Sequence, residues 1–307
     1  MLPSIRALAA FEAAGRLESF TLAAQELGMT QSAISHQIRS LEDQVGQPLF
    51  NRLHRSAVLT DAGRDLQFTV RDCFQRLEAG LKRLDQYKKP NQVIVCMPPS
   101  LAGRWLMPQL EGYRLRCPGH DVWLHTTNED VDIARGEFHV IIRRGRPSAP
   151  DIECWELFPD PLTVYGAPRL IAASALGVPA DVLKAPLLYD ERREDWAMWF
   201  EAAGVEANPV QGYNFSDSGM LLDAAASGFG FCLGSMILAA GDAAAGRLAA
   251  PFPEVIVPGE GYFACVSDRV AGLEKVQSFR RWLDEQAALM RGWIARHAPT
   301  LSKENLV

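Results

Sequence analysis

The alternation of apolar and polar positions divides the chain into a helical first third and a mixed remainder. From Pro3 to about Gly15, Ile5, Leu8, Ala9 and Phe11 beside Glu12 recur at helical spacing with a polar back, which predicts a first amphipathic helix. The segment "SFTLAAQEL" predicts a short second helix capped by Ser19 or Thr21, with slim Ala23, Ala24 and Leu27 suited to a close crossing and Gly28 as its stop. A third helix follows with Thr30 as its cap. Ile34, Ile38, Leu41 and Val45 make its apolar stripe, and Ser32, Ser35, His36 and Arg39 fill its polar face. Two short extended pieces, Leu49–Arg52 and Ala57–Thr60, flank a turn carrying Arg52, His54 and Arg55. Thr60 then caps a long helix along which Leu66, Val70, Cys73, Leu77 and Leu84 keep a heptad-like rhythm, with Gly80 in one core slot and Leu81 beside it.

After the polar break "YKKPNQ" (87–92) the pattern changes. Apolar runs such as "VIVCM", "DVWLHTT", "HVIIRRG", "LTVYG", "LLYD", "GFCLG" and "YFACVS" alternate with helical stretches, so the remainder predicts an α/β fold with helices on both sheet faces. The expected division is 1–60, 61–90 and 91–307.

Composition changes this picture little: 307 residues, 48% hydrophobic and 22% charged, describe an ordinary globular chain. No apolar run approaches a membrane span, and the N-terminus reads as an amphipathic helix, not a signal peptide. The six cysteines are scattered without a CxxC pair, so free thiols of a cytoplasmic protein are expected. Charge is more informative. The net charge is −6, but residues 1–90 hold 12 basic and 10 acidic groups, a balance of +2, and the rest hold 19 and 27, a balance of −8. The first part is the one suited to an anionic partner.

A helix, a glycine turn and a second helix with short hydrogen-bonding groups near its start form the arrangement that inserts into a DNA major groove. A plain helical hairpin with a solvated face would carry the same stripe. The basic turn at Arg52 and Arg55 favours DNA, because a two-stranded wing with positive tips meets phosphates or the minor groove. The long helix fits a two-stranded coiled coil, or an amphipathic helix packed on its own domain.

The stretch "LPSIRALAAFEAAGRLESFTLAAQELGMTQSAISHQIRSLEDQVGQPLFNRLHRSAVLTDAG" resembles the N-terminal domain of LysR-type transcriptional regulators. "PSLAGRWLMPQL", "LLYDERREDWAMWF" and "NFSDSGMLLDAAASGFG" extend the resemblance to about residues 2–290, and to the branch containing the glycine cleavage system activator and the beta-lactamase regulator. The resemblance implies a winged helix-turn-helix, a long dimerising linker helix and a two-lobed, periplasmic-binding-protein-like effector domain. It implies lobes at 92–163 with 267–300 and at 164–266, and a ligand cleft between them. It places Thr30, Gln31, Ser32, Ser35, His36 and Arg39 toward DNA, with Arg52 and Arg55 on the wing. His36 stands where many members have Arg, as in the glycine cleavage branch, and His139 stands where relatives usually carry Asp.

Within the cleft, Ser100 and Leu101 open the helix after "VIVCM", where free N–H groups favour a carboxylate; Ser100 as a mere helix cap is the alternative. Ser216, Asp217 and Ser218 open another helix, with Asp217 positioned to meet an amine. Together they suggest a zwitterion, an amino acid or a peptide. Asp132 and Tyr262 approach the cleft by resemblance, with a surface acid and a packed ring as the plainer readings. Trp196 and Trp199 read as core, and "RREDW" (192–196) as a solvated turn.

No GxSxG, HExxH, Walker or complete dinucleotide motif is present, and the six histidines do not cluster. No enzyme, cofactor or metal is expected. The expected partners are double-stranded DNA with a dyad-symmetric operator, a small-molecule effector and further copies of the chain as a homodimer or homotetramer, with RNA polymerase as a further candidate and no membrane. The rival readings are an effector-independent repressor and, more remotely, a small-molecule-binding enzyme domain fused to a DNA anchor.

Overall fold

The structure, a computed structural model, describes residues 2–51, 57–86, 88–133, 136–149, 151–207 and 212–298, without the side chains at 82, 83, 85 and 86. It divides into two compact units at Asp85/Gln86.

The first unit is built from α1 (Ile5–Leu17), α2 (Phe20–Glu26), α3 (Gln31–Val45), a two-stranded hairpin of β1 (Phe50–Asn51) and β2 (Val58–Leu59), and α4 (Asp61–Gln86). Ser4, Ser19 and Thr30 accept N–H bonds from the third residue onward and so start the three short helices. Small side chains let these helices approach closely: Ala7, Ala10, Ala13, Ala14, Ala23 and Ala24 are buried around Phe11, Ile34, Ile38 and Leu41. Two expected stripe residues lie outside this core. Ile5 (66% exposed) is in the first helical turn of α1 and Val45 (41%) in the last turn of α3. Glu42 is buried in place of an apolar residue, and its Oε1 accepts the Leu49 and Phe50 N–H groups at 2.8 and 3.2 Å. That carboxylate fixes where the chain turns from α3 into the hairpin. Gly63, in the first turn of α4, is required by close approach: a Cβ there would stand 2.2 Å from the Leu49 carbonyl oxygen.

The second unit carries β3 (Gln92–Met97), α5 (Pro99–Leu101), a π-helical turn (Ala102–Leu106), α6 (Leu110–Arg116), β4 (Asp121–Thr126), β5 (Val140–Arg144) and β6 (Ile152–Phe158). It continues with β7 (Leu162–Tyr165), α7 (Pro168–Ser174), β8 (Leu187–Tyr189), α8 (Asp195–Ala202), β9 (Gly212–Asn214), α9 (Ser218–Ala226), β10 (Phe231–Ser235) and α10 (Met236–Ala244). The return is made by β11 (Tyr262–Ser267), α11 (Asp268–Ala271) and α12 (Glu274–His297). Two sheets result, ordered β4-β3-β5-β11-β6 and β7-β10-β8-β9. Each is the floor of one lobe.

The lobe boundaries differ from the expected ones at both joins. β11 pairs antiparallel with β5 and β6, so Tyr262–Val266 belong to the first lobe, not the second. β7 begins the second lobe at Leu162. An apolar run such as "YFACV" is buried on both faces in either sheet, so its own pattern does not reveal its neighbours. β6 was not expected; Glu153 and Glu156 interrupt its apolar run, which an edge strand tolerates. The chain crosses between lobes twice, at Pro159–Pro161 and around 257–261. The crossovers are held side by side by paired bonds between Leu162 and Ile256 at 2.8 and 3.0 Å. Gly261 admits this contact, since a Cβ there would meet the Phe158 carbonyl oxygen at 2.2 Å.

Trp196 and Trp199 are buried in the second lobe as expected, and their indole N–H groups donate to Leu188 O and Glu254 O. The cysteines depart from expectation. Cys154 and Cys265 face each other across β6 and β11, Cα atoms 4.2 Å apart, and form a disulfide. A pair 111 residues apart leaves no spacing signature to read. No helix among the described residues is long and apolar enough to cross a membrane.

Candidate functional site

Two surfaces collect the polar groups. On the first unit, Ile34, Ile38 and Leu41 anchor α3 against α1 and α2, which turns its other side outward. Thr30, Gln31, Ser32, His36 and Arg39 are exposed there, with Ser35 half-buried among them. Thr30 Oγ1 caps the helix at Ala33 N (3.2 Å) and lies 3.0 Å from Ser32 Oγ. The exposed N-terminal half of α3 therefore offers hydroxyl, amide, imidazole and guanidinium groups along one helical face. Such a face can hydrogen-bond base edges and phosphates together. Arg52 and Arg55 lie outside the described residues.

The second surface is a cleft of about 220 Å³ between the lobes, lined by Pro98, Ser100, Asn128, Arg144, Asp190, Glu191, Arg192, Ser216, Ser218 and Tyr262. Ser100 stands at the helix start after β3, Arg144 at the end of β5, Asp190–Arg192 just beyond β8, and Ser218 at the first residue of α9. Each lies where a strand's carboxyl end or a helix start opens toward the gap, the usual place for ligands in open α/β sheets. Asn128 Nδ2 donates to Ser216 O at 2.9 Å and so joins the two lobes at the rim.

Charges of both signs share this cleft. Arg144 pairs with buried Asp160 at 2.9 Å, and Arg192 with Asp190 at 3.6 Å and Asp195 at 3.2 Å. Burial pushes the Tyr262 hydroxyl's pKa up and the Asp160 carboxylate adds to it, so the phenol stays protonated and able to donate.

The expected residues divide. Ser100, Ser216 and Tyr262 line the cleft; Leu101 and Asp217 do not, and Asp132 is exposed elsewhere. The Leu101 side chain is fully buried in the core, because the helix turns it away from the gap. Asp217 is occupied as the cap of α9, its Oδ1 accepting Met220 N at 3.0 Å. The acidic side of the cleft comes from Asp190 and Glu191 instead. With Asn128, Arg144 and Arg192 these were missed from the pattern. The signal was there in "IIRR" and "LLYDERR", charges placed directly after apolar strands. Arg192, expected in a solvated turn, is half-buried against the cleft.

Comparison with known proteins finds relatives for both units. Residues 5–64 match the family model described as bacterial regulatory helix-turn-helix protein, lysR family, and residues 89–288 match LysR substrate binding domain. The chain is 35% identical over 289 residues to the glycine cleavage system transcriptional activator of Escherichia coli, covering 94% of this chain and 95% of that one. It is 36% identical over 287 residues to the HTH-type transcriptional activator AmpR of Pseudomonas aeruginosa, covering 93% and 96%. The solved effector domain of AmpR from Pseudomonas aeruginosa superposes with a TM-score of 0.61 at 31% identity, covering 67% of this chain and 99% of that one.

Proposed function

The chain belongs to the lysR family of bacterial helix-turn-helix transcription regulators, and from that premise we propose how it reads DNA, pairs and takes a ligand. Thr30, Gln31, Ser32, Ser35, His36 and Arg39 contact the operator, with Arg52 and Arg55 on the flanking backbone. Leu77, Leu81 and Leu84 on α4 are 50, 58 and 59% exposed, a stripe that a second copy's α4 would cover. Pairing gives a dyad-symmetric operator site, and pairing of pairs a homotetramer. Two relatives are named as activators, which favours activation over repression and brings RNA polymerase in as a partner. Regulation of this kind belongs in the cytoplasm.

The observation that carries ligand control is the open, polar cleft lined by Arg144 from one lobe and by Asp190, Glu191 and Arg192 from the other. Its volume falls below the roughly 300–1,000 Å³ of drug-sized sites, so the fitting ligand is small. A zwitterion satisfies both signs, a carboxylate toward the arginines and hydroxyls and an amine toward the acids. An effector-independent repressor would have this gap filled by packed side chains. A thermal-shift screen of the full chain should find stabilisation by amino acids or short peptides; stabilisation by dianions alone overturns the zwitterion reading. For the DNA face, His36→Ala should weaken operator binding in a mobility-shift assay while the melting temperature holds. Unchanged discrimination between operator and random DNA removes His36 from base reading.

A further inference from the structure

Arg144 ends β5 and faces three places at once. Its side chain lines the cleft. Nη1 pairs with Asp160 Oδ2 at 2.9 Å in the first crossover, and Nη2 donates to Pro258 O at 3.2 Å in the second. Asp160 is only 1% exposed, and its Oδ1 accepts from Ser235 Oγ at 2.5 Å. Ser235 caps α10 in the second lobe. The next two residues hold the second crossover as well: Gly145 N donates to Gly261 O at 2.9 Å and Arg146 N to Glu260 Oε2 at 2.5 Å. A buried carboxylate depends on its charge partner, and a guanidinium offers a fixed fork of donors. The cleft and both crossovers therefore draw on one guanidinium.

We propose that Arg144 is a positioning residue through which the contents of the cleft set the two crossovers. An anionic ligand group that takes a donor from Asp160 or Pro258 O changes how both crossovers are held, and with them the angle between the lobes. The inference rests on reading the cleft as an effector site and adds the route by which that site acts.

The test is amide hydrogen exchange on the full chain at Gly145, Leu162 and Ile256, whose backbone bonds pin the crossovers. Asp160→Asn keeps the shape and removes the charge. Exchange at these amides should rise by about tenfold or more with far-UV circular dichroism unchanged. Arg144→Lys, which keeps the charge but not the fork, should do the same, and it decides the matter if Asp160→Asn fails to fold. Arg144→Gln with Asp160→Asn should exchange no faster than Arg144→Gln alone. Wild-type exchange in Arg144→Lys, or additive effects in the double variant, overturns the proposal. Asp160→Asn should also alter the ligand-free footprint on DNA upstream of the protein's own gene; a wild-type footprint leaves Arg144 merely structural and overturns it too. The effector reading fails separately. If no amino acid or peptide stabilises the wild type while the variants behave as stated, the zwitterion reading falls and the hold of Arg144 on the crossovers stands. If such a compound stabilises the wild type and leaves the three amides unchanged, the relay falls.

Discussion

His139 makes the second unit sensitive to acid in a way that can be worked through. The residue is 2% exposed, and its Nδ1 accepts the Ile94 N–H at 2.9 Å while its own backbone N–H donates to Ile94 O at 2.8 Å. A proton on Nδ1 would put two donors face to face. Burial, and then the charge of Lys275, lower its pKa from 6.5 to about 4. At pH 8 and above the imidazole is neutral folded or unfolded and contributes no pH dependence. Below about 6.5 the unfolded chain takes up a proton that the folded chain refuses until about pH 4, so stability falls as pH falls through that window. At about 1.4 kcal/mol per unit of pKa difference, the loss reaches about 2 kcal/mol at pH 5 and about 3 kcal/mol at pH 4. His139→Asn leaves an acceptor near the Nδ1 position and removes the titration. Urea unfolding of both proteins, followed by tryptophan fluorescence, should show a stability difference that is flat above pH 8 and shifts by about 2 kcal/mol toward the variant by pH 5. Other carboxylates titrate alike in both proteins and cancel. Parallel pH profiles would refute the reasoning.

Gly63→Ala should destabilise the first unit by about 1–3 kcal/mol, because the new Cβ meets a backbone oxygen that no rotamer change can move; an unshifted melting curve contradicts it. Glu42→Ala should cost about 2–3 kcal/mol through the stranded Leu49 and Phe50 N–H groups, and Glu42→Gln, which keeps an acceptor, should recover part of it in a urea titration followed by far-UV circular dichroism, since the first unit has no tryptophan. Arg104 bonds Asp242 and Asp223, both at 2.5 Å, and Gly219 O at 3.1 Å. Arg104→Ala should lower second-unit stability by about 1.5–3 kcal/mol, the loss of a charge-assisted bond to buried Asp242, which keeps Arg247 as its other partner, whereas Asp223→Ala, at a largely exposed partner, should change it by less than about 1 kcal/mol in chemical denaturation.

The first unit was legible because its information is local. The caps Ser19 and Thr30 are read from three residues of sequence, though Ser4 before α1 was not, and the 3.6 period of Ile34, Ile38 and Leu41 states which side of α3 is down. What escaped was Glu42, a carboxylate whose partners are backbone N–H groups and leave no mark in side-chain pattern. In the second unit the strands were legible and their partners were not. "YFACVS" reads as a strand anywhere, and only pairing with β5 and β6 assigns it to the first lobe. The same limit applies to the cleft. Ser100 was found because a helix start is a local feature. Arg144, Asp190 and Arg192 come from segments about forty-five residues apart and meet only once both lobes are folded.

The energetics of Arg144 bound what one cleft can do. Driving a two-state equilibrium from one extreme to the other takes about 5.5 kcal/mol of differential affinity. A charge-assisted bond such as Arg144–Asp160 is worth about 1.5–3 kcal/mol and a neutral one such as Arg144 to Pro258 O about 0.5–1.5 kcal/mol. Exchanging both in one protomer supplies at most about 4.5 kcal/mol, short of a full switch. Two protomers tied through their α4 helices double that figure and exceed the requirement. The proposed pairing is therefore part of the response as well as of DNA recognition. Disrupting the leucine stripe, for example with Leu77→Lys and Leu84→Lys, should leave ligand binding intact and flatten the dependence of the footprint on ligand concentration. A response as steep as the wild type's in such a variant would show that one cleft suffices, and the coupling energy would then have to come from contacts beyond Arg144.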